Sequence, residues 1–331
     1  MSLKLQTLAA ATALVGAVAA SELSFRRERT AAGPVVLGTH HLAYEEHGAA
    51  NAAAGKTPLV FVHGWPDDPR LFTPLCKRLS AERGYRCINV SLPAYGLPDD
   101  WTGVRERLPG GEREWGFDMN EVVELLHATI HRACGGAGAR VTVVMHDWGC
   151  IFAYMLKLRY PDVVVRLVSA DVGLPTQVRP AFAAFLLAYQ TLLNVAWMLP
   201  APLGYAVNYV VQLFGRRCAA PGSGAIGNHR NWPYRAVFRS VLTDPANAAA
   251  VSAMQPVDTP WLYVYGRDKP FFAQFHDDAF LRRVSKSSAL SRAVAVPGHH
   301  WFVVSHLDRY AAEVAKFLDE TEELVRRKLA Q

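Results

Sequence analysis

Residues 140–153 read RVTVVMHDWGCIFA, and this stretch decides how the chain folds. Val141, Val143, Val144 and Met145 make a short apolar run, three of the four β-branched, which predicts a buried strand. The run from Cys150 reads as a helix, CIFAYMLKLRY, that stops at Pro161 because proline cannot extend it. Between them HDWG puts one acidic side chain, Asp147, at the apex of a strand–turn–helix. That arrangement is the nucleophile elbow, written G-x-S-x-G when the apex is serine. With aspartate there, the chemistry becomes that of a carboxylate.

Outward from the elbow, strand-like and helix-like segments alternate. TPLVFVHG (57–64), YRCINVSLP (85–93), VVVRLVSADVG (163–173), TPWLYVYG (259–266) and RAVAVPG (292–298) read as strands, and VVLGTHHLAYEEHG (35–48) as an opening hairpin turning near Gly38. Helices are expected from about Pro69 to Arg83, ended by Gly84, and across EWGFDMNEVVELLHATIHRACGG, whose Val122, Leu125, Leu126 and Ile130 share one face. A terminal helix begins at LDRYAAEV. Such alternation predicts an α/β fold, a mostly parallel sheet with helices on both faces.

The alternation breaks over 174–257, which has helical periods and no strand. We read it as a helical cap over the sheet's carboxyl edge, where α/β folds bind ligands. Gln190, Asn194, Asn208 and Gln212 interrupt its apolar faces and argue against a bilayer span. The expected organisation is 1–32 as an N-terminal segment and linker, 33–173 as the first part of the core, 174–257 as the cap, and 258–331 as the second part of the core.

The first residues, MSLKLQTLAAATALVGAVAAS, combine Lys4, an Ala/Leu/Val-rich run and an A-x-A-like end. That outline is expected of a signal peptide or membrane anchor directing the chain to the secretory pathway; cytoplasmic and mitochondrial placements are the alternatives. No other stretch is expected to be long and apolar enough to span a bilayer. The net charge of +6 is spread along the chain without a nucleic-acid-binding motif, so no nucleic-acid partner is expected. Five cysteines without a CxxC imply neither a disulfide framework nor a zinc site, and no phosphate-binding loop or dinucleotide motif is present, so no cofactor is expected. His40 and His41 belong to the opening hairpin, and Asp67 and Asp68 read as helix caps.

Three places converge on the elbow in a parallel sheet: HGWP (63–66), Asp147 and PGHHW (297–301). A carboxylate at the apex can attack an electrophilic carbon, such as an epoxide or alkyl halide, to form its own ester. Hydrolysing that ester needs a histidine to activate water, an acid to orient it, and backbone donors for the oxyanion; the N–H groups of Trp65 and Trp148 are the candidates.

HGWP and HDWG, in this order and with a histidine before Trp301, resemble the epoxide hydrolase branch of the α/β-hydrolases over about Val35 to the C-terminus. The resemblance implies His300, rather than His299, as the base. It places the acid at Asp268, after the strand TPWLYVYG; Asp171, after the preceding strand, is the alternative, as in some related dehalogenases. It also implies two cap tyrosines that protonate the epoxide oxygen, matched by Tyr189 in Ala188-Tyr189-Gln190 and Tyr234 in Trp232-Pro233-Tyr234-Arg235; Tyr205 and Tyr209 compete. Met145 departs from the pattern, standing two residues before the apex where a small residue is usual. A small apolar epoxide and water are the implied reactants, with membrane association through the N-terminal segment. A haloalkane dehalogenase using the same Asp147 and His300 is the alternative, and a ligand-binding protein without turnover is a third reading.

Overall fold

The computed structural model describes residues 41–95, 117–175, 177–222, 226–243, 259–270 and 273–329. The N-terminal segment 1–32, the turn at Gly38 and the cap residues 244–257 therefore lie outside the described residues.

Seven strands form one sheet: β1 (Tyr44–His47), β2 (Leu59–Val62), β3 (Cys87–Val90), β4 (Val141–His146), β5 (Val164–Ala170), β6 (Trp261–Gly266) and β7 (Arg292–Val296). Their spatial order is β1-β3-β2-β4-β5-β6-β7. Only β1 runs antiparallel, against β3, and every later neighbour in that order is parallel. Every residue of β2, β3 and β4 is buried, as expected of central parallel strands covered on both sides.

One face packs Leu59, Phe61, Val144, Val168 and Leu262 against helices α1 (Thr73–Arg83) and α9 (Leu307–Leu329). Arg166, fully buried on β5, ties that face together: it reaches Thr142 Oγ1 at 2.9 Å, Leu318 O at 3.0 Å and Glu322 Oε2 at 3.0 Å. Helices α2 (Met119–Cys134) and α3 (Trp148–Arg159) pack together, and Tyr154 of α3 meets Trp261 on the opposite face edge-on at 5.5 Å. Two shorter helices, α7 (Asp278–Lys286) and α8 (Phe302–Ser305), precede and follow β7. Local sequence explains the ends. Asp118 and Glu121 form a capping box at the start of α2, and Gly84 closes α1 with φ 64°, donating its N–H to Ser80 O.

Among the described residues between β5 and β6 are three α-helices, α4 (Pro180–Met198), α5 (Ala201–Phe214) and α6 (Trp232–Thr243). From Pro180 to Phe214 there is no charged residue. By length and composition α4 would suffice to cross a membrane, contrary to the expectation from sequence. In this fold α4 is held by a buried asparagine outside it, just before α6. Asn231 Nδ2 donates to Leu193 O at 3.0 Å and to Asn208 Oδ1 at 2.7 Å, and these bonds join the insertion internally. The outer surface stays apolar, with Tyr209, Leu213 and Phe214 64%, 59% and 86% exposed.

This insertion is pinned to the loops at the sheet's carboxyl edge. Arg217 Nη2 meets Asp67 Oδ1 at 2.8 Å, Arg230 Nη1 donates to Pro66 O at 3.0 Å, and Trp232 Nε1 donates to Pro93 O at 2.9 Å. Asp67, read from sequence as a helix cap, is thus a tether that also accepts from Trp301 Nε1 at 2.7 Å; Asp68 does cap, accepting from Arg70 N at 3.1 Å.

Candidate active site

Parallel strands end on the same edge, and that geometry gathers the site. Asp147 follows β4 with φ 54° and ψ −125°, a left-side conformation unusual for a residue with a side chain. The sharp turn lifts its carboxyl off the sheet while α3 starts at once. Two glycines make room. A Cβ on Gly149 would lie 2.0 Å from Val62 O, and one on Gly64 would lie 2.4 Å from both Asp147 Oδ1 and Trp148 N. Met145 does not disturb this turn: it is fully buried in β4, in register with Val62 and Ser169.

The two carboxylate oxygens of Asp147 have different surroundings. Oδ1 accepts the Trp65 N–H at 2.6 Å, beside Trp148 N. Oδ2 faces His300 Nε2 at 3.3 Å. His300 enters from the loop after β7, and its Nδ1 donates to Asp171 Oδ2 at 2.6 Å. Asp171 stands at the end of β5, with φ 69° and its side chain wholly buried. Its Oδ1 meets Lys269 Nζ at 2.7 Å and accepts the Gly266 N–H at 3.0 Å.

The partner of His300 is therefore Asp171. Asp268, expected from sequence to orient His300, is half exposed and bonded elsewhere. Its Oδ2 accepts the Gly298 N–H at 2.6 Å, and its Oδ1 is 3.6 Å from Arg267 Nε. It braces the loop that carries the histidine. His299 points elsewhere too, its Nε2 3.1 Å from Arg216 Nη1.

Burial pulls the His300 pKa down, but the hydrogen bonds it donates to Asp147 and Asp171 and the charges of those carboxylates outweigh it, raising the value to about 9. Burial would raise Asp171; the ammonium of Lys269 and the histidine hold it well below the usual carboxylate range instead. His146, adjacent to the apex with its ring tilted against that of His300 at 4.4 Å, is lowered to about 4 by burial and by His300. His63 is likewise lowered to about 4 by burial; it serves the scaffold, its Nε2 accepting the Leu92 N–H at 3.1 Å.

Aromatic rings close the space over Asp147. Tyr234, 2% exposed, meets Trp65 edge-on at 5.6 Å, Trp148 at 5.2 Å and Tyr189 at 5.9 Å. Burial and the Asp147 charge raise the Tyr234 phenol, while a hydrogen bond with Trp148 pulls the other way. Tyr189 is raised mainly by burial, against a 3.5 Å hydrogen bond from Gln190, with the Asp147 charge adding to the rise. The competing Tyr205 and Tyr209 are 44% and 64% exposed on α5 and do not join the cluster. The Trp65 indole N–H donates to Asn231 Oδ1 at 2.8 Å, so this ring is locked by the insertion.

Sequence reasoning did not single out Lys269. Its signal is local: RDKP places a lysine just past β6, within reach of whatever ends the neighbouring strand β5. Among the described residues no cluster of His, Cys, Asp or Glu is arranged to hold a metal ion.

Residues 59–316 match the alpha/beta hydrolase family. The chain is 26% identical over 231 residues to haloalkane dehalogenase 1 of Mycobacterium tuberculosis, covering 66% of this chain and 69% of that protein. Among solved structures, epoxide hydrolase I of potato (Solanum tuberosum) superposes with a TM-score of 0.54 at 20% identity, over 80% of this chain and 94% of that one. A marine microorganism esterase superposes with a TM-score of 0.55 at 13% identity, over 84% and 99%. Likeness at these identities speaks to the fold.

Proposed function

The chain belongs to the α/β hydrolase family, and from that premise we propose that it opens an apolar epoxide to a diol through a covalent ester on Asp147. Its matches make it a hydrolase of this fold related to epoxide hydrolases and haloalkane dehalogenases. The observation that carries the epoxide reading is the buried Tyr234, its ring edge-on to Trp65 and Trp148 on either side of the elbow and its phenol within range of the Asp147 charge.

In this reading Asp147 Oδ2 attacks an epoxide carbon as the carbon–oxygen bond breaks, and Tyr234, with Tyr189 beside it, donates the proton that the leaving oxygen needs. Oδ1, held by the Trp65 N–H, becomes the ester carbonyl. Water then attacks that carbonyl carbon. His300, oriented by Asp171, takes the water proton, and the Trp65 and Trp148 N–H groups hold the oxyanion. The cap helices exclude bulk water and supply the apolar walls, which favours a hydrophobic, lipid-like epoxide. The N-terminal segment would keep the enzyme at a membrane in the secretory pathway.

Haloalkane dehalogenation is the second reading, favoured by the mycobacterial relative and by an acid after β5. Dehalogenases hold the departing halide with indole or amide N–H groups. Here the Trp65 indole is committed to Asn231 and the Trp148 indole to Tyr234, which favours an oxygen leaving group. Incubation with styrene oxide, a long-chain epoxide and a bromoalkane separates the two. Diol from the epoxides is the expected product; halide release without any diol would replace the first reading by the second. His300→Gln is expected to leave the ester on Asp147, seen as substrate mass on its peptide. Product formation with no such mass would remove Asp147 from the nucleophile's role, and no product from any substrate would favour a binding protein.

A further inference from the structure

Asp171 is shared between two cations. One oxygen takes the His300 Nδ1 proton, and the other meets the Lys269 ammonium at 2.7 Å. The Lys269 side chain is 4% exposed, with the Phe275 ring 5.1 Å from its ammonium. Orienting a histidine does not require this cation, since Gly266 N–H already holds the same oxygen, and burying an ammonium is costly. The arrangement calls for another reason.

We propose that Lys269 is a positioning residue of electrostatic kind: it balances Asp171 so that His300 carries its proton before the ester forms and gives it up afterwards. The inference rests on the ester mechanism above. The groups facing His300 are the Asp147 and Asp171 carboxylates, the His146 ring at 4.4 Å, and the uncharged rings of Phe275 and Trp301. His146 is neutral at physiological pH, and so is His276, which lies beyond Tyr263 and is lowered to about 4 by burial and by Lys269. Arg216 reaches the neighbouring His299.

In the free enzyme two carboxylates, Asp147 and Asp171, face two cations, His300 and Lys269, and the site is neutral. Ester formation removes the Asp147 charge. One positive charge is then in surplus, and the histidine proton is the one that can leave. It balances the proton that the epoxide oxygen has taken from a tyrosine, restoring the phenol through solvent. Neutral His300 then accepts a proton from the attacking water, and release of the diol returns Asp147 as a carboxylate beside a protonated His300. Without Lys269 the ester state would pair one carboxylate with one imidazolium, already balanced, and His300 would keep its proton when a base is needed.

The test reads His300 directly, so it does not depend on the substrate. In full-length protein carrying ¹⁵N-histidine, Asp147→Asn imitates the uncharged ester, and the ring signals of His300 are followed against pH. Asp147→Asn is expected to lower the His300 midpoint, and adding Lys269→Gln to raise it again by about one pH unit or more. Lys269→Arg in the same background is expected to leave it low. Equal midpoints with lysine and glutamine would overturn the proposal, and so would arginine acting like glutamine, which would point to packing. Lys269→Met, similar in length and uncharged, replaces glutamine if that variant does not fold. A midpoint that moves as expected in a protein forming no ester would retain the charge coupling and reject the epoxide reading.

Discussion

At the scale of single residues, the two aspartates near His300 separate cleanly by environment. Asp171 is wholly buried and bonded to the imidazole, whereas Asp268 is half exposed and bonded to a loop amide. Asp171→Asn is therefore expected to lower turnover on the order of 10²- to 10⁴-fold, by loss of the histidine's orientation and charge. Asp268→Asn should cost less than about tenfold, because amide oxygen can still accept the Gly298 N–H. Initial rates of diol formation compare the two, and the reverse ranking would return the acid's role to Asp268. Tyr234→Phe removes one hydroxyl while keeping the ring against Trp65 and Trp148. Ester formation, measured in single turnover, should slow by about 10²-fold, the usual scale for losing a general acid. An unchanged rate would assign proton donation to Tyr189 or to water.

Among the elements, β5 carries more than its length suggests. It ends in Asp171, and its Arg166 bridges β4 and α9 from a fully buried position. Arg166→Ala leaves Glu322 Oε2 and Thr142 Oγ1 without this partner and empties a large buried volume. A loss of about 3–5 kcal/mol is expected in urea unfolding. A loss below about 1 kcal/mol would mean that α9 repacks without it. The elbow shows the same dependence of one element on another. Asp147 can keep φ 54° because α3 packs onto the end of β2, where Gly149 touches the Val62 carbonyl; Met145 is accommodated because its side chain lies within the sheet packing.

For the whole molecule, the buried histidines predict how stability follows pH. His63 and His146 are lowered to about 4, so the unfolded chain binds protons first as pH falls below about 6.5. Each should remove about 1.4 kcal/mol per pH unit across that interval, down to about pH 4. His300, raised to about 9, acts with the opposite sign: its contribution is complete below about 6.5 and is lost as pH rises through 9. Stability should peak near neutrality and fall on both sides. Urea midpoints from about pH 4 to 10 check this, and a flat response between about pH 5 and 6.5 would contradict the buried neutral state of both rings.

The alternation of strands and helices, the aspartate at the apex and the aromatic motifs beside it are written in the order of residues. Those are local: period, proline and glycine stops, and a tight turn between Met145 and Gly149 are visible within a dozen residues. Helices α4–α6 were legible in the same way. Which acid meets His300 was not, because Asp171 and Asp268 follow adjacent parallel strands, and the burial and side-chain direction that separate them are set by packing around each turn. The role of Asp67 as a tether, and the choice of Tyr234 over Tyr205 and Tyr209, likewise depend on how α5 and α6 dock against loops distant in sequence. Lys269 has meaning only once Asp171 lies 2.7 Å away. Buried electrostatics is set by contacts between segments far apart in the chain, and no local stretch of residues specifies them.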